Sequence, residues 1–218
     1  MGSILNITFF VSLFAGMIRL ATPILLPALG QIYTQRAGIL NLGVEGTMLM
    51  GAICGFIGAC VTQNLWFGFL CGILAGMIYS LIMAWLSITM RANQVIAGIG
   101  MNILASGLAS YIYRLVFGIR ALPAKITSFQ SLKIPVLGDI PYIGTIFFQH
   151  NILVYLTFIL VPVTWFILER TTYGLKIKAV GENPRAADSK GIDVARIRYS
   201  AVLVGGAYAG AGGAFMTI

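Results

Sequence analysis

Six stretches of this chain are long and apolar enough to cross a lipid bilayer, and that feature constrains its fold more than any other. A spanning helix needs about 20 mainly apolar residues. The candidates are Ile4–Leu29, Glu45–Val61, Leu65–Leu86, Gln94–Val116, Ile152–Leu168 and Tyr199–Ile218. Only 9% of the residues are charged, against about 25% in an ordinary soluble domain. A soluble enzyme, a disordered chain and a disulfide scaffold are excluded. The expected fold is all-α, a polytopic transmembrane helix bundle with about six spans in one domain over 1–218.

The first run contains Arg19, Pro23 and Pro27. No Lys or Arg precedes its apolar part, and it is too long for the apolar core of a signal peptide. Its prolines remove helical donors and predict a kink or break. In lipid such a break has to be covered by protein or face a watery cavity.

Charge orients the bundle. The net charge is +8, from 14 Lys+Arg and 6 Asp+Glu. Half of the basic residues fall between Arg170 and Arg198, which places that segment in the cytoplasm, where basic loops concentrate. The excess then reflects loops, and no nucleic-acid partner is implied. The chain divides into N-terminal spans (4–116), an extracytoplasmic loop (117–151), a span (152–168), a cytoplasmic loop (169–198) and a last span (199–218). By the same count Gln31–Gly43 and the turn at Arg91 lie inside, and the N-terminus lies outside. Arg120, Lys125 and Lys133 in the outer loop run against the rule. Gly205–Ile218 has no polar tail, so the chain reads as a fragment that stops within or at the end of a span.

Glycine is patterned for packing. Gly51 and Gly55 are four apart, Gly68, Gly72 and Gly76 make two such steps, and Gly206, Gly210 and Ala214 repeat them. Residues four apart share a helix face, and small ones let backbones approach closely. Gly98, Asn102, Ser106 and Ser110 form a small, polar stripe on the fourth span. It suits interhelical hydrogen bonds or the wall of a water-filled path, and the two readings stand side by side. Ionisable groups within spans are few; Arg19, deep in the first, and Glu45, at the start of the second, are a candidate pair. No series of Asp, Glu and His crosses the bundle, which weighs against a proton-driven carrier but leaves sodium coupling through carbonyls open. Cys54, Cys60 and Cys71 lie in apolar runs with no CxxC pair and read as buried hydrophobes. The lone His150 lacks a metal-ligand partner and reads as an interface residue. There is no GxxxxGK[ST] or HExxH motif, and one histidine leaves little room for a triad. The chain is not expected to be an enzyme.

The loop 173–193 carries a compact helical signal. Asn183 is a good N-cap and Pro184 suits the first helical position. Arg185–Lys190 supplies a body about 10 Å long. Gly191 supplies a left-handed stop, and Asp193 can cap the next span. The result is a charged knob, either a connector or a docking element for a soluble partner.

The stretch 179–187, Ala-Val-Gly-Glu-Asn-Pro-Arg-Ala-Ala, followed by Gly191-Ile192, resembles the cytoplasmic coupling loop of ABC-importer permeases. The class is that for simple sugars, branched-chain amino acids and nucleosides. Residues 36–46, Arg-Ala-Gly-Ile-Leu-Asn-Leu-Gly-Val-Glu-Gly, resemble the SGxxNLGxEG stretch of its nucleoside-type members. Residues 19–26 and 86–98 fit the same subgroup. The resemblance covers nearly the whole chain in order, although such permeases usually run on for several more spans. It implies two permease subunits forming a path, two cytoplasmic ATPase subunits, and an extracytoplasmic solute-binding protein. ATP and magnesium would sit on the ATPase, with no cofactor in this chain. Gly181, Glu182, Asn183, Pro184, Arg185, Ala186 and Ala187 would couple to the ATPase. Asn41, Glu45, Asn93, Gln94 and Asn102 would line or support the path of a nucleoside or simple-sugar-like solute. Two rivals remain at this stage, a stand-alone gradient-driven carrier or channel and a scaffold subunit that moves nothing.

Overall fold

The computed structural model describes residues 7–118, 131–133, 144 and 147–218. The elements run α1 (Ile7–Arg36), α2 (Val44–Thr62), α3 (Leu65–Ala84) with a π-helical turn (Trp85–Thr89), α4 (Gln94–Phe117), β1 (Ser131–Lys133), β2 (Gln149–Asn151), α5 (Ile152–Arg170), α6 (Thr172–Glu182), α7 (Pro184–Ser189) and α8 (Val194–Thr217). Two strands, β1 and β2, form a short antiparallel ribbon pairing Leu132 with His150, a feature the apolar pattern does not announce. Arg120 and Lys125 lie outside the described residues.

Side-chain caps begin most of these helices. Asn64, Asn93 and Asn151 accept backbone N–H groups at the starts of α3, α4 and α5. Thr171, Asn183 and Asp193 do the same for α6, α7 and α8. Each supplies an acceptor to donors that the first helical turn cannot satisfy itself.

Among the described residues five helical segments are long and apolar enough to cross a membrane: Phe9–Arg36, Val44–Thr62, Leu65–Thr89, Gln94–Phe117 and Ile152–Arg170. The sixth expected span differs in kind. Residues 199–218 belong to α8, which has 24 residues and is therefore long enough. Its glycines and alanines lower its apolarity, and nearly all of 209–214 is buried inside the bundle.

The break expected at Pro23 and Pro27 is absent, because α1 runs unbroken from Ile7 to Arg36. The physical reason is cover. Pro27 deprives the Pro23 carbonyl of its helical donor, and that carbonyl faces Gly212 of α8, where a Cβ would lie 2.7 Å from it. Protein therefore shields the altered backbone from lipid.

The same helix α8 is the hub of the bundle, and glycines set its distance from three neighbours. A Cβ on Gly51 of α2 would meet Gly210 Cα at 2.6 Å. One on Gly76 of α3 would meet the same atom at 2.6 Å, and one on Gly72 would meet Ala214 Cβ at 2.6 Å. On the α1 side, a Cβ on Gly30 would lie 2.8 Å from Gly205 O. Backbones this close leave no room for a methyl group, so the GxxxG spacings work as a packing seam. Helix α4 sits outside the seam, held to α3 by Tyr79, whose hydroxyl donates to Met101 O at 2.6 Å, and to α2 by Asn102, which accepts from Gly46 N at 2.8 Å.

The helices alternate in direction, so several ends meet on one face. Arg36 at the end of α1 pairs with Glu169 at the end of α5 at 3.2 Å. Thr89 after α3 hydrogen-bonds Tyr199 near the start of α8 at 2.6 Å. This face holds Arg36, Arg91 and the seven basic residues from Arg170 to Arg198, and it is called the basic end below.

The seam makes a direct prediction. Gly210→Ala should lower thermal stability in detergent by about 1–3 kcal/mol, the usual cost of overpacking. Gly107→Ala, with nothing within 4 Å of the new methyl, should leave the midpoint unchanged or slightly raised. Equal midpoints for the two variants would refute the seam.

Candidate functional site

Between α1 and α2 the chain leaves helical geometry for residues 37–43 at the basic end. Gly38, with φ +78°, turns the backbone out of α1, a conformation that glycine adopts without strain. Ile39 then anchors the loop in a buried cluster with Ala84 and Val202. The peptide groups that lose helical partners find others. Ala37 O accepts from Arg198 Nε at 3.2 Å. Leu40 N donates to Gln94 Oε1 at 2.7 Å. Asn41 O accepts from Gln31 Nε2 at 2.5 Å, and Gly43 N donates to Asn41 Oδ1 at 3.0 Å. Asn102 bridges the loop to α2, donating to Leu42 O at 3.1 Å and accepting from Gly46 N at 2.8 Å. Irregular backbone persists at membrane depth only with such partners. Gly98 lets α4 approach, since a Cβ there would lie 2.7 Å from Leu42 Cβ.

Three of the sequence candidates for the path thus meet at one loop. Asn41 is buried, with 2% exposure, and Gln94 and Asn102 hold the loop from α4. Asn93 is exposed and caps α4, accepting from Val95 N at 3.0 Å. Glu45 is exposed in the first turn of α2, where the helix dipole favours negative charge. The candidate pairing of Glu45 with Arg19 does not occur. Arg19 lies about 26 Å along α1 from Arg36 at 1.5 Å per residue, whereas Glu45 lies just past the loop that follows Arg36. The two charges sit at different depths, and both are exposed.

From Glu45 a groove runs between α2 and α4. Its first hollow, about 290 Å³, is lined by Glu45, Gly46, Leu49, Asn102, Ile103 and Ser106. A second, about 310 Å³, shares Leu49 and continues along Ile53 and Phe56 to Tyr113. A third, about 320 Å³, adds Ser110 and Arg114. Shared walls join the three into one channel-like surface. The stripe on α4 therefore divides its work: Gly98 and Asn102 secure the loop, while the exposed Ser106 and Ser110 line the groove. Sequence reading missed Tyr113 and Arg114. Arg114 continues the four-residue series 98, 102, 106, 110, and that spacing was the available signal. Gln31 and Arg198 were also missed, because their partners are backbone atoms distant in sequence.

The connector between α5 and α8 occupies the same end. Asn183 Oδ1 accepts from Ala186 N at 3.1 Å, Pro184 takes the first helical position, and Gly191 has φ +79°. Arg185, Ala186, Asp188, Ser189 and Lys190 are exposed, whereas Ala187 is only 4% exposed. Gly181 faces inward, against Arg36 O, where a Cβ could not fit. Glu169 gathers Arg36 at 3.2 Å and Lys178 at 2.5 Å, tying α1, α5 and α6 together. On the outer surface Leu175 is 67% exposed beside Lys176. Among the described residues no group of His, Cys, Asp and Glu is placed to hold a metal ion.

Comparison with known proteins resolves what this arrangement belongs to. The model of the branched-chain amino acid transport system permease component family matches residues 13–218. The chain belongs to that family. It is 41% identical over 215 residues to the putative glucose ABC transporter permease protein TsgC13 of Haloferax volcanii, covering 97% of this chain and 64% of that protein. It is 41% identical over 209 residues to the guanosine ABC transporter permease protein NupQ of Bacillus subtilis, covering 88% and 63%. It is 31% identical over 210 residues to the nucleoside ABC transporter permease protein NupC of Lactococcus lactis, covering 92% and 65%. The chain thus spans a little under two thirds of the length of these relatives. No solved structure matches it. Family and apolar helices together make it a multi-pass protein of the plasma membrane, of a transport family and not an enzyme family.

Asn102→Leu should leave Gly46 N and Leu42 O without their partner, at about 1–3 kcal/mol for the buried Gly46 N–H and less for the exposed Leu42 carbonyl. The expected readout is faster hydrogen exchange at residues 42–46, with α3 and α8 unchanged. Exchange at wild-type rates would show that Asn102 does not hold the loop.

Proposed function

We propose that this chain is the membrane-spanning permease subunit of an ATP-binding cassette importer. The solute is a nucleoside or a simple-sugar-like molecule. A cytoplasmic ATPase binds ATP and magnesium and supplies the energy. A second permease subunit, alike or different, faces the α2–α4 groove and completes the path, and an extracytoplasmic binding protein delivers the solute. The basic end is the cytoplasmic side.

The observation that carries this reading is the capped, exposed helix α7, which follows directly on α6, where Gly181 packs against the end of α1 and the loop that opens the groove. A short charged helix between two spans offers a docking knob to a soluble partner. The groove beside it carries hydroxyl, carboxylate and guanidinium groups from Glu45 to Arg114 among apolar side chains. That mixture suits a neutral solute rich in hydroxyl groups or bearing a base. The relatives named for guanosine, nucleosides and glucose support the same class. The expected coupling roles need one adjustment. Ala187 is buried, so a bulky residue there would disturb packing first, and Ala186 is the cleaner probe of docking.

The test is ATP-driven uptake of labelled guanosine and glucose into vesicles carrying the complete transporter. Ala186→Glu should lose both ATPase capture and uptake. Ser106→Trp should keep ATPase capture and lose uptake, because the groove is filled. Uptake that persists without any ATPase would establish a gradient-driven carrier instead.

A further inference from the structure

The loop 37–43 touches two different bodies. At its start it is tied to the connector side: Gly181 of α6 packs on Arg36 O, and Arg198, in the second turn of α8, donates to Ala37 O at 3.2 Å. Gly38 lies in the same junction, where a Cβ would sit 3.5 Å from both Gly181 Cα and Arg198 Nη2. At its end the loop is tied to α4 by Gln94 and Asn102, and it leads directly into Glu45 at the head of the groove. Ile39 between them is 2% exposed. Ala37, Ile39, Asn41 and Gly43 are buried and alternate with exposed residues, so the loop is anchored at every second position, and close-packed contacts of that kind transmit displacement.

We propose that Arg198 is a positioning residue: from α8, with Gly181 at the end of α6, it clamps the loop 37–43 between the two helices that flank α7, so that a displacement of the connector moves the Glu45 end of the groove. This rests on the importer reading above and names the element by which the docking face reaches the path. Arg198 does not touch solute or ATPase. Its guanidinium holds a carbonyl that α1 leaves free at its C-terminus, a contact that ends the moment α8 and the loop separate.

The experiment uses the complete transporter in vesicles, with its ATPase and solute-binding protein, and compares wild type, Arg198→Ala and Arg198→Lys. For Arg198→Ala, ATPase association and basal ATP hydrolysis should stay within about twofold of wild type while uptake falls by about tenfold or more, the scale of a typical coupling between sites. Hydrolysis should also stop responding to loaded binding protein. Arg198→Lys, which keeps a donor near Ala37 O, should recover much of the uptake. Uptake by Arg198→Ala close to wild type overturns the proposal. So does loss of ATPase association in step with uptake, which would make Arg198 a docking or folding residue. If Arg198→Ala does not accumulate, Arg198→Met decides, because it keeps the aliphatic stem and removes only the donor to Ala37 O: lost uptake with retained hydrolysis supports the relay, and normal uptake overturns it. Wild-type uptake without ATP would overturn the importer reading, and this proposal with it.

Discussion

Everything in this bundle depends on how closely three helices approach α8. Lipid tails are as apolar as leucine, so spanning helices gain little by hiding apolar surface from them. Contact has to come from dispersion between closely fitting surfaces, and glycine brings the backbones near enough. Gly51, Gly72, Gly76 and Gly210 all lie where a methyl group would overlap a neighbouring atom. The seam fixes where α1, α2 and α3 stand, and so where the loop 37–43 emerges and where the α2–α4 groove opens. Helix α4, outside the seam, adds polar side chains to its own close approach at Gly98.

A second constraint is the need to satisfy backbone groups away from water. The bundle meets it in two ways. Helix starts receive Asn, Asp or Thr caps, and the single non-helical stretch described between α1 and α2 is held by Gln31, Gln94, Asn102 and Arg198. These side chains are committed to structure, which separates them from Glu45, Ser110 and Arg114 along the groove; Ser106 lines it too, but its hydroxyl donates back to Asn102 O at 2.8 Å and offers only an acceptor. Polar residues in spans are thus of two kinds here, and only the second kind leaves hydrogen-bonding capacity toward the path.

Much of this was legible in the sequence because the relevant signals are local and periodic. Apolar length located five spans, four of them closely, whereas α1 runs on past the expected end at Leu29 to Arg36, because the polar Gln31, Thr34 and Gln35 continue the helix. The GxxxG spacings gave the seam, and Asn183, Pro184, Gly191 and Asp193 gave the connector residue by residue. What was not legible depends on contacts between distant segments. The Arg19–Glu45 pairing failed because a sequence lists charges without depth. The prolines of α1 suggested a break because nothing local says that Gly212 covers them. The roles of Asn41, Gln94 and Asn102 were indistinct because an amide in a span reads alike whether it faces solute or a carbonyl. Arg198 looked like one more basic residue in a basic segment until its partner, Ala37, was visible.

The composition of α8 also bears on biosynthesis. It is the least apolar of the long helices, yet it occupies the centre, and it leaves the ribosome after α1, α2 and α3. Those three are therefore already in the bilayer, without their common neighbour, when α8 is threaded in. The translocon has to hand over a weakly lipophilic segment to a waiting cleft and not to lipid. The step in which α8 meets α1, α2 and α3 is thus lateral and follows their insertion, and quality control has a natural checkpoint in whether that cleft has been filled.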